Sequence, residues 1–217
     1  MSDLQTARDL MVDGQLRPNR VRDRRILDTM RRLDRTRFVP PAQAPLAYID
    51  ANVPVSPGRS LLKPLVIARM LQLAAPVAGE TALIVGAGTG YGAAVLAACG
   101  VHVTALEDDH ALAAMAREAV RDEAFPVSFV SGPLAEGWAE RAPYDLVFIE
   151  GAVRAIPERI GRQVAASGRL VTVIAPEGAA SYAVIAEPTV GGLAARPAFD
   201  AVAPLLPGLL PAPAFVF

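Results

Sequence analysis

The chain has 217 residues, a formal net charge of −1 and 53% hydrophobic residues. This length fits one elaborated domain better than two full domains, and the apolar content can form a substantial core. The charge argues against nucleic acid as a partner. The chain does not start with a cationic stretch followed by an apolar segment, so we expect a cytoplasmic protein that does not interact with membranes. The single cysteine, Cys99, excludes a disulfide framework within one chain, and we expect no bound metal.

The first part of the chain is predicted to be helical over residues 4–36, with Pro18 separating helices over 4–16 and 21–35. Nine arginines occur between Arg17 and Arg37. They could form a basic patch or the solvated face of a helix. Interleaved acidic residues, and the absence of aromatic residues among the arginines, favour the solvated face. The apolar residues of this stretch would then face the core: Ile26, Leu27, Met30 and Leu33.

The proline-rich stretch 38–64 is predicted to be an ordered cover with a short strand over 51–55, followed by a helix over 65–75. From there the chain alternates short apolar strands with helices. The strands are predicted at 81–85, 101–106, 127–130, 145–149 and 169–174. One helix is predicted after the glycine run, through the Ala-rich segment 93–98, and further helices at 109–122 and 157–164. This alternation predicts an α/β fold, a Rossmann-like doubly wound and mostly parallel sheet with helices on both faces. We expect residues 1–75 to pack as a cover on a core of residues 76–217, within one compact domain.

The end of the chain departs from this alternation. Segments 182–186 and 193–199 flank Gly191-Gly192 and predict an antiparallel hairpin. The uncharged tail over 201–217 contains four prolines, which prevent a regular helix. We expect this tail to pack on the sheet or to form an interface with a second copy of the chain.

The most informative run is Gly86-Ala87-Gly88-Thr89-Gly90-Tyr91, which follows an apolar strand and opens a helix. Glycines at such a turn let a ligand approach the backbone, and the helix behind them presents free N–H groups. Glu107 directly follows the next predicted strand, where an acidic residue can bind a ribose diol. Together these features indicate a site for a cofactor that contains a nucleoside. The G-x-G-x-G spacing differs from the dinucleotide fingerprint and disfavours a nicotinamide oxidoreductase.

The turn resembles the first motif of S-adenosylmethionine-dependent methyltransferases, and the chain as a whole resembles the protein-L-isoaspartate O-methyltransferases. The matching runs occur in the family's order: MVDGQLR at 11–17, RFVP at 37–40, AYID at 47–50, GAGTGY at 86–91 with AAVLA at 93–97, APYD at 142–145 and SGRLV at 167–171. The resemblance implies S-adenosyl-L-methionine as cofactor. It also implies methyl transfer to the α-carboxylate of isoaspartyl residues in damaged proteins or peptides.

The substrate clamp departs from the family pattern. Leu62 stands where the family has its active-site serine, and a leucine cannot hydrogen-bond a carboxylate. Ser60 matches the family's threonine and could supply a hydroxyl. Lys63, the only lysine of the chain, could offer a positive charge. Ser60 and Lys63 are therefore the candidate catalytic residues, with a loop serine and an exposed loop lysine as the alternatives.

The cofactor site departs from the family in two places. Ile84 replaces the acidic residue that most such enzymes carry two positions before the first glycine, and Gly132 stands near the position of the acid that holds adenine. The site is therefore predicted to use Glu107 and Asp108 with the loop Gly132-Pro133-Leu134. Glu150, at the end of another strand, could hold the methionine amino group instead of the missing acid, or could be a solvated residue. The resemblance thus favours a repair methyltransferase acting as a monomer or homodimer. A diverged enzyme with another acceptor, or a binding protein without turnover, are the alternatives.

Overall fold

The computed structural model describes residues 3–210. Its main sheet has seven strands in the order β5-β4-β3-β6-β7-β8-β9, and a separate pair, β1-β2, lies in the cover. The first five strands of that order run parallel, and β8 and β9 run antiparallel. The strands are β1 Val53–Ser56, β2 Arg59–Leu61, β3 Thr81–Val85, β4 His102–Glu107, β5 Val127–Ser131, β6 Tyr144–Val153, β7 Val164–Ile174, β8 Tyr182–Thr189 and β9 Gly192–Asp200. The predicted α/β fold with a C-terminal antiparallel hairpin is confirmed.

The α-helices are α1 Asp3–Leu10, α2 Arg24–Arg32, α3 Pro64–Ala74, α4 Tyr91–Ala98, α5 His110–Ala119 and α6 Glu158–Gly161. Short 3₁₀ helices span Arg35–Phe38, Pro41–Leu46, Leu134–Glu136, Ala139–Arg141 and Pro207–Leu209. Helix α3 starts with Pro64 at its first position and is capped at its end by Ala75, which adopts a left-handed conformation. Cys99 caps the end of α4 and is buried.

The N-terminal part differs from its prediction in detail. The first helix passes at Met11 into a π-helical stretch, Met11–Leu16, and α2 begins later than expected because Asp23 caps it. Ile26, Leu27, Met30 and Leu33 are buried in the same core cluster as the sheet, which confirms the inward face of this segment. Several arginines pair with nearby acids, among them Arg31 with Asp9 and Asp13 and Arg25 with Asp23.

Several elements beyond the glycine turn differ from their predicted bounds: the strand predicted over 169–174 begins at Val164, and the helix predicted over 109–122 ends at Ala119. The helix predicted over 157–164 is only α6, because Val164 leaves it to pair with Tyr144 at the start of β6. The strand predicted to end at Ile149 continues to Val153, so that Glu150 lies inside β6 rather than after it. Between Phe148 and Ala152, β6 uses more residues than β7, which makes a bulge at this point.

The first part of the C-terminal tail, residues 201–210, packs on the sheet, which is one of the two arrangements expected for the tail. Ala201, Ala203, Leu206 and Leu209 are buried, and Leu205 pairs with Ala152 of β6. The rest of the predicted tail, residues 211–217, lies outside the described residues. Within residues 3–210, no helix is long and apolar enough to cross a bilayer.

Candidate functional site

The sheet register brings the predicted site residues to one edge. Val85, the last residue of β3, pairs with Leu106 of β4 on one side and with Ile149 of β6 on the other. The next residues along the three strands are Gly86, Glu107 and Glu150. Since the carboxyl ends of parallel strands meet at the same edge of a sheet, these residues lie side by side where ligands bind in open α/β folds.

The glycine turn has the backbone conformation that its sequence predicts. Gly86, Gly88 and Gly90 have φ values of +72°, +55° and +85°, which residues with a Cβ rarely adopt. The amides of Gly86 and Ala87 both donate to the Leu106 carbonyl at 3.0 Å, which fixes the turn against β4. Gly90 then caps α4, and Tyr91 is its first residue. The buried Thr89 hydroxyl finds no hydrogen-bond partner among residues 3–210.

Glu107 is buried and fully hydrogen-bonded. Its Oε2 accepts from the Gly88 amide at 2.6 Å, and its Oε1 accepts from the amides of Asp108 and Asp109 at 3.1 and 3.0 Å. Arg59 donates to both oxygens, with Nη1 2.6 Å from Oε1 and Nη2 2.7 Å from Oε2. Burial alone would raise the pKa of this carboxyl group, but the hydrogen bonds and charge of Arg59 outweigh it and lower the pKa below its ordinary value. Glu107 is therefore an ionised carboxylate.

The two acids after Glu107 have separate roles. Asp109 caps α5, because its Oδ1 accepts from the amides of Ala111 and Leu112 at 2.8 and 3.2 Å. Asp108 is more exposed, and its Oδ1 lies 3.2 Å from Nη1 of Arg59. Burial and the neighbouring Glu107 raise the pKa of Asp108. Glu107 is thus not needed as a helix cap, and its role as a ligand-binding acid stays a prediction.

Arg59 was not predicted as a site residue from the sequence, in which only its neighbour Ser60 was a candidate. Both residues lie on the short strand β2, where successive side chains point to opposite faces. Arg59 and Leu61 are buried on one face, and Ser60 pairs with Pro54 of β1. The structure therefore brings Arg59, and not Ser60, to Glu107 and the glycine turn. The one available sequence signal was the alternation of Arg59 with the apolar Leu61.

Glu150 is buried at the β6 bulge, where it lies against the first turn of α4. A Cβ atom on Gly92 would collide with its carboxyl group, so the glycine at this position makes room for it. Its Oε2 is without a hydrogen-bond partner in the described part of the chain. Burial raises the pKa of Glu150 to about 8, although the charges of Arg35 and Arg59 act in the opposite direction. Glu150 is therefore mostly protonated at neutral pH, and it is not the solvated residue of the alternative prediction.

Arg35 is a second buried residue, which in the sequence stands out only as one of a basic run. Its Nε donates to the Ala47 carbonyl at 2.7 Å and its Nη2 donates to the Leu62 carbonyl. The guanidinium carbon lies 4.5 Å from the centre of the Tyr91 ring. Within residues 3–210, neither Nη1 of Arg35 nor the Tyr91 hydroxyl has a hydrogen-bond partner. Arg35 ties the cover to the start of α4 and leaves a donor available.

The other predicted clamp residues lie in the cover. Leu62 is buried and offers only its carbonyl, to Arg35. Lys63 precedes α3, its amide donates to Asn52 Oδ1 at 2.9 Å, and its ammonium lies 3.9 Å from Oδ2 of Asp50. The structure pairs the Lys63 ammonium with Asp50, which agrees with the alternative of a loop lysine.

The loop after β5 completes the edge. The Gly132 amide donates to the Glu107 carbonyl at 3.4 Å, which holds this loop beside β4. A Cβ atom on Gly132 would lie 3.4 Å from Cζ3 of Trp138, so the indole packs over the loop. Leu134 is buried, whereas Pro133 is exposed.

This edge carries the donors and acceptors that a nucleoside-bearing cofactor requires. The glycine turn and the start of α4 present backbone to a ligand, and Glu107 is an ionised acceptor for hydroxyl groups. The orphaned Glu150 oxygen and Thr89 hydroxyl add buried polar atoms. Among residues 3–210, no three His, Cys, Asp or Glu side chains are grouped as metal ligands would be. The backbone of the glycine turn, the Glu107 carboxylate and the Thr89 hydroxyl suit an organic ligand.

Comparisons with known proteins agree with this geometry. The family model described as Protein-L-isoaspartate(D-aspartate) O-methyltransferase (PCMT) matches residues 6–189. A protein-L-isoaspartate O-methyltransferase of Methylorubrum populi is 40% identical over 172 residues, which cover 79% of this chain and 81% of the relative.

Two solved structures share the fold. A protein-L-isoaspartate O-methyltransferase superposes with a TM-score of 0.79 at 22% identity, covering 93% of this chain and 67% of that one. A Plasmodium falciparum protein described as a beta-aspartate methyltransferase, solved in complex with S-adenosyl-L-homocysteine, gives a TM-score of 0.77 at 17% identity. That match covers 96% of this chain and 100% of the other chain.

Proposed function

Because the chain belongs to the protein-L-isoaspartate O-methyltransferase family, we propose that it transfers a methyl group from S-adenosyl-L-methionine to the carboxylate of isoaspartyl residues. The acceptor would be a damaged protein or peptide. The observation that carries the proposal is the meeting of the glycine turn with the buried carboxylate of Glu107 at one sheet edge. We further propose a cytoplasmic protein that is a monomer or a homodimer.

Each candidate residue has a role in this proposal. Gly86, Ala87, Gly88, Thr89, Gly90 and Tyr91 would line the methionine and ribose portions, and Glu107 with Asp108 would accept hydrogen bonds from the ribose hydroxyls. Gly132, Pro133 and Leu134 would border the adenine. Glu150 would face the amino group of the methionine portion, in place of the acid that Ile84 replaces.

The chemistry makes few demands on the protein. When bound, the cofactor supplies a methyl group on a sulfonium centre, which is already an activated donor. A carboxylate acceptor has a pKa near 4 and is ionised at neutral pH, so no general base is required. The chain's contribution is to hold the acceptor in line with the methyl group and to exclude water, and positioning alone can supply about 7 kcal/mol or more.

The acceptor clamp is the part of the proposal that departs from the family. Leu62 replaces the family's serine, and its buried side chain offers no hydrogen bond. The Ser60 hydroxyl and the Lys63 ammonium are the candidates for this role, although Lys63 is paired with Asp50 in the free protein. Leu62 is also the observation that favours a second candidate function, in which the chain methylates an acceptor other than isoaspartate.

The test is methyl transfer from radiolabelled S-adenosylmethionine to a synthetic isoaspartyl peptide, beside the same peptide with normal aspartate. The proposal predicts a base-labile methyl ester on the isoaspartyl peptide alone, and none with the Glu107→Gln variant. If the protein binds S-adenosylhomocysteine but labels neither peptide, the acceptor assignment is wrong and the second candidate function is favoured.

A further inference from the structure

The segment 204–209 crosses the sheet edge where the proposed cofactor would lie. The Ala152 amide donates to the Pro204 carbonyl at 2.8 Å, and the Leu206 amide donates to the Ala152 carbonyl at 3.0 Å. These bonds attach the segment to the end of β6, just beyond the bulge that carries Glu150. A short 3₁₀ turn, Pro207–Leu209, then leads away from β6.

Leu206 fills the space that two glycines leave open. A Cβ atom on Gly86 would lie 2.9 Å from Cδ1 of Leu206, and one on Gly151 would lie 2.6 Å from its Cγ. Leu206 is itself buried, with 4% of its surface exposed. A glycine turn of this kind allows a ligand to approach the backbone, and in this protein the chain's own leucine takes the ligand's place.

The turn after Leu206 lies against other residues of the proposed cofactor groove, which is formed by the glycine turn, the acidic pair Glu107-Asp108 and the loop 132–134. Pro207 Cγ lies 3.1 Å from the position of a Cβ on Gly58, next to Arg59. A Cβ on Gly208 would lie 2.6 Å from Oδ2 of Asp108 and 3.3 Å from Cδ1 of Leu134. The segment therefore passes the glycine turn, the acidic pair and the proposed adenine loop in succession.

Arg59 binds the Glu107 carboxylate, where the ribose hydroxyls of the cofactor are proposed to bind. Its two terminal nitrogens donate to the two carboxylate oxygens, which is the arrangement that a pair of ribose hydroxyls would otherwise make. Nη2 lies 3.5 Å from the position of a Cβ on Gly86 and 3.9 Å from that on Gly88, so the guanidinium covers the turn. A ribose diol that binds Glu107 in this way would have to displace these two hydrogen bonds.

We propose that residues 204–209 and Arg59 form an internal plug, which occupies the cofactor groove in the free protein and is displaced when the cofactor binds. This inference rests on the proposed function. The segment 204–209 can be displaced because it is weakly attached to β6. Pro204 and Pro207 have no N–H group, so they cannot add backbone hydrogen bonds to the two that Ala152 makes. A plug that is closed for nine-tenths of the time weakens the apparent cofactor affinity about tenfold. Any partner that lifts the segment would therefore activate the enzyme.

The test is calorimetric titration of S-adenosylhomocysteine into wild type and two matched variants, Leu206→Ala and Leu210→Ala. Both leucines belong to the same stretch of chain, but Leu210 is 44% exposed. The plug predicts at least about tenfold tighter binding for Leu206→Ala and an unchanged dissociation constant for Leu210→Ala. A chain that ends at Ala203 should bind as tightly as Leu206→Ala, and one that ends at Leu210 should match wild type.

A second measurement needs no variant and covers the case in which these chains fold poorly. Hydrogen exchange of the Leu206 amide in wild type should become faster when S-adenosylhomocysteine binds. Slower exchange, or equal affinity in all folded chains, overturns the plug and leaves the methyltransferase proposal standing. If neither wild type nor the folded opened chains bind the ligand, the cofactor assignment fails, and the plug fails with it.

Discussion

Two buried glutamates at the same sheet edge differ in charge because they differ in partners. Glu107, at the end of β4, accepts hydrogen bonds from three backbone amides and from both terminal nitrogens of Arg59, and its pKa is lowered. Glu150, in the bulge of β6, has an oxygen with no partner in the described chain, and its pKa is raised to about 8. Burial acts on both in the same direction, so the partners decide the outcome.

The two sides of the proposed cofactor groove differ in how far the chain's own residues satisfy the buried polar atoms. On the Glu107 side, Arg59 and Leu206 take the positions proposed for the ligand, and both carboxylate oxygens of Glu107 are satisfied. On the Glu150 side, polar atoms of Arg35, Tyr91 and Glu150 lack partners within residues 3–210. Buried polar atoms without partners are costly, so the second side would gain most from a polar ligand or ordered water.

The largest effect on stability and on cofactor affinity should follow from the substitution Glu107→Gln, on the side of the groove where the carboxylate is fully hydrogen-bonded. Arg59 would then lose its buried two-oxygen partner and keep only the more exposed Asp108 as a counter-charge, which costs up to about 3–5 kcal/mol of unfolding free energy. Two charge-assisted hydrogen bonds to the ribose would be weakened as well, and we expect S-adenosylhomocysteine binding to fall about a hundredfold. Urea denaturation and calorimetry measure the two effects. Asp122→Asn is the control, because the Asp122 side chain is 68% exposed and is not among the proposed site residues, and an equal loss in that variant would contradict a special role for Glu107.

On the other side of the groove, the titration of Glu150 should make the free energy of unfolding depend on pH. The folded pKa of Glu150, about 8, lies above its ordinary value of 4.5. The protonated form is therefore favoured in the folded chain, and its contribution is complete below about pH 4.5 and is lost as the pH rises towards 8. Within this window wild type should lose up to about 1.4 kcal/mol per pH unit relative to Glu150→Gln.

Urea denaturation at pH 5, 6.5 and 8 measures this difference. Glu158→Gln serves as the control, because the Glu158 side chain is 79% exposed. Parallel stability profiles for wild type and Glu150→Gln would show instead that Glu150 is ionised in the folded protein at neutral pH.

Ligand binding should couple to the same proton. If Glu150 faces the cofactor's amino group, it must lose its proton on binding, since the ammonium group favours a carboxylate. The association constant of S-adenosylhomocysteine should then increase from pH 6 to 7.5, by up to about tenfold per unit. The Glu150→Gln variant should bind weakly with no such slope. An identical slope in both proteins would remove Glu150 from the cofactor site.

The smallest effect should come from Asp109→Ala, which separates the helix-capping acid from the ligand-binding one. Loss of the cap on α5 should cost about 1 kcal/mol of unfolding free energy. The affinity for S-adenosylhomocysteine should not change, because the Asp109 side chain is used by the Ala111 and Leu112 amides. Thermal denaturation and calorimetry on the same sample check both statements, and a marked loss of affinity would assign Asp109 to the site.

The sequence predicted the parts of this edge that depend on local pattern. The glycine turn and Glu107 follow from residues adjacent to apolar strands, and the alternation of strands and helices predicted the sheet. Arg59 and Leu206 could not be found in this way, because their roles come from contacts between segments far apart in the chain. Glu150 was placed after its strand, since nothing in its neighbours indicates the bulge that keeps it inside β6.

Competition between the cofactor and the chain's own plug for one groove can be observed in a crystal structure of the protein with S-adenosylhomocysteine. Competition predicts ribose hydroxyls on the Glu107 carboxylate, with Arg59 turned away and Leu206 lifted from Gly86 and Gly151. A complex in which Leu206 still lies between these glycines and Arg59 still holds Glu107 would contradict it.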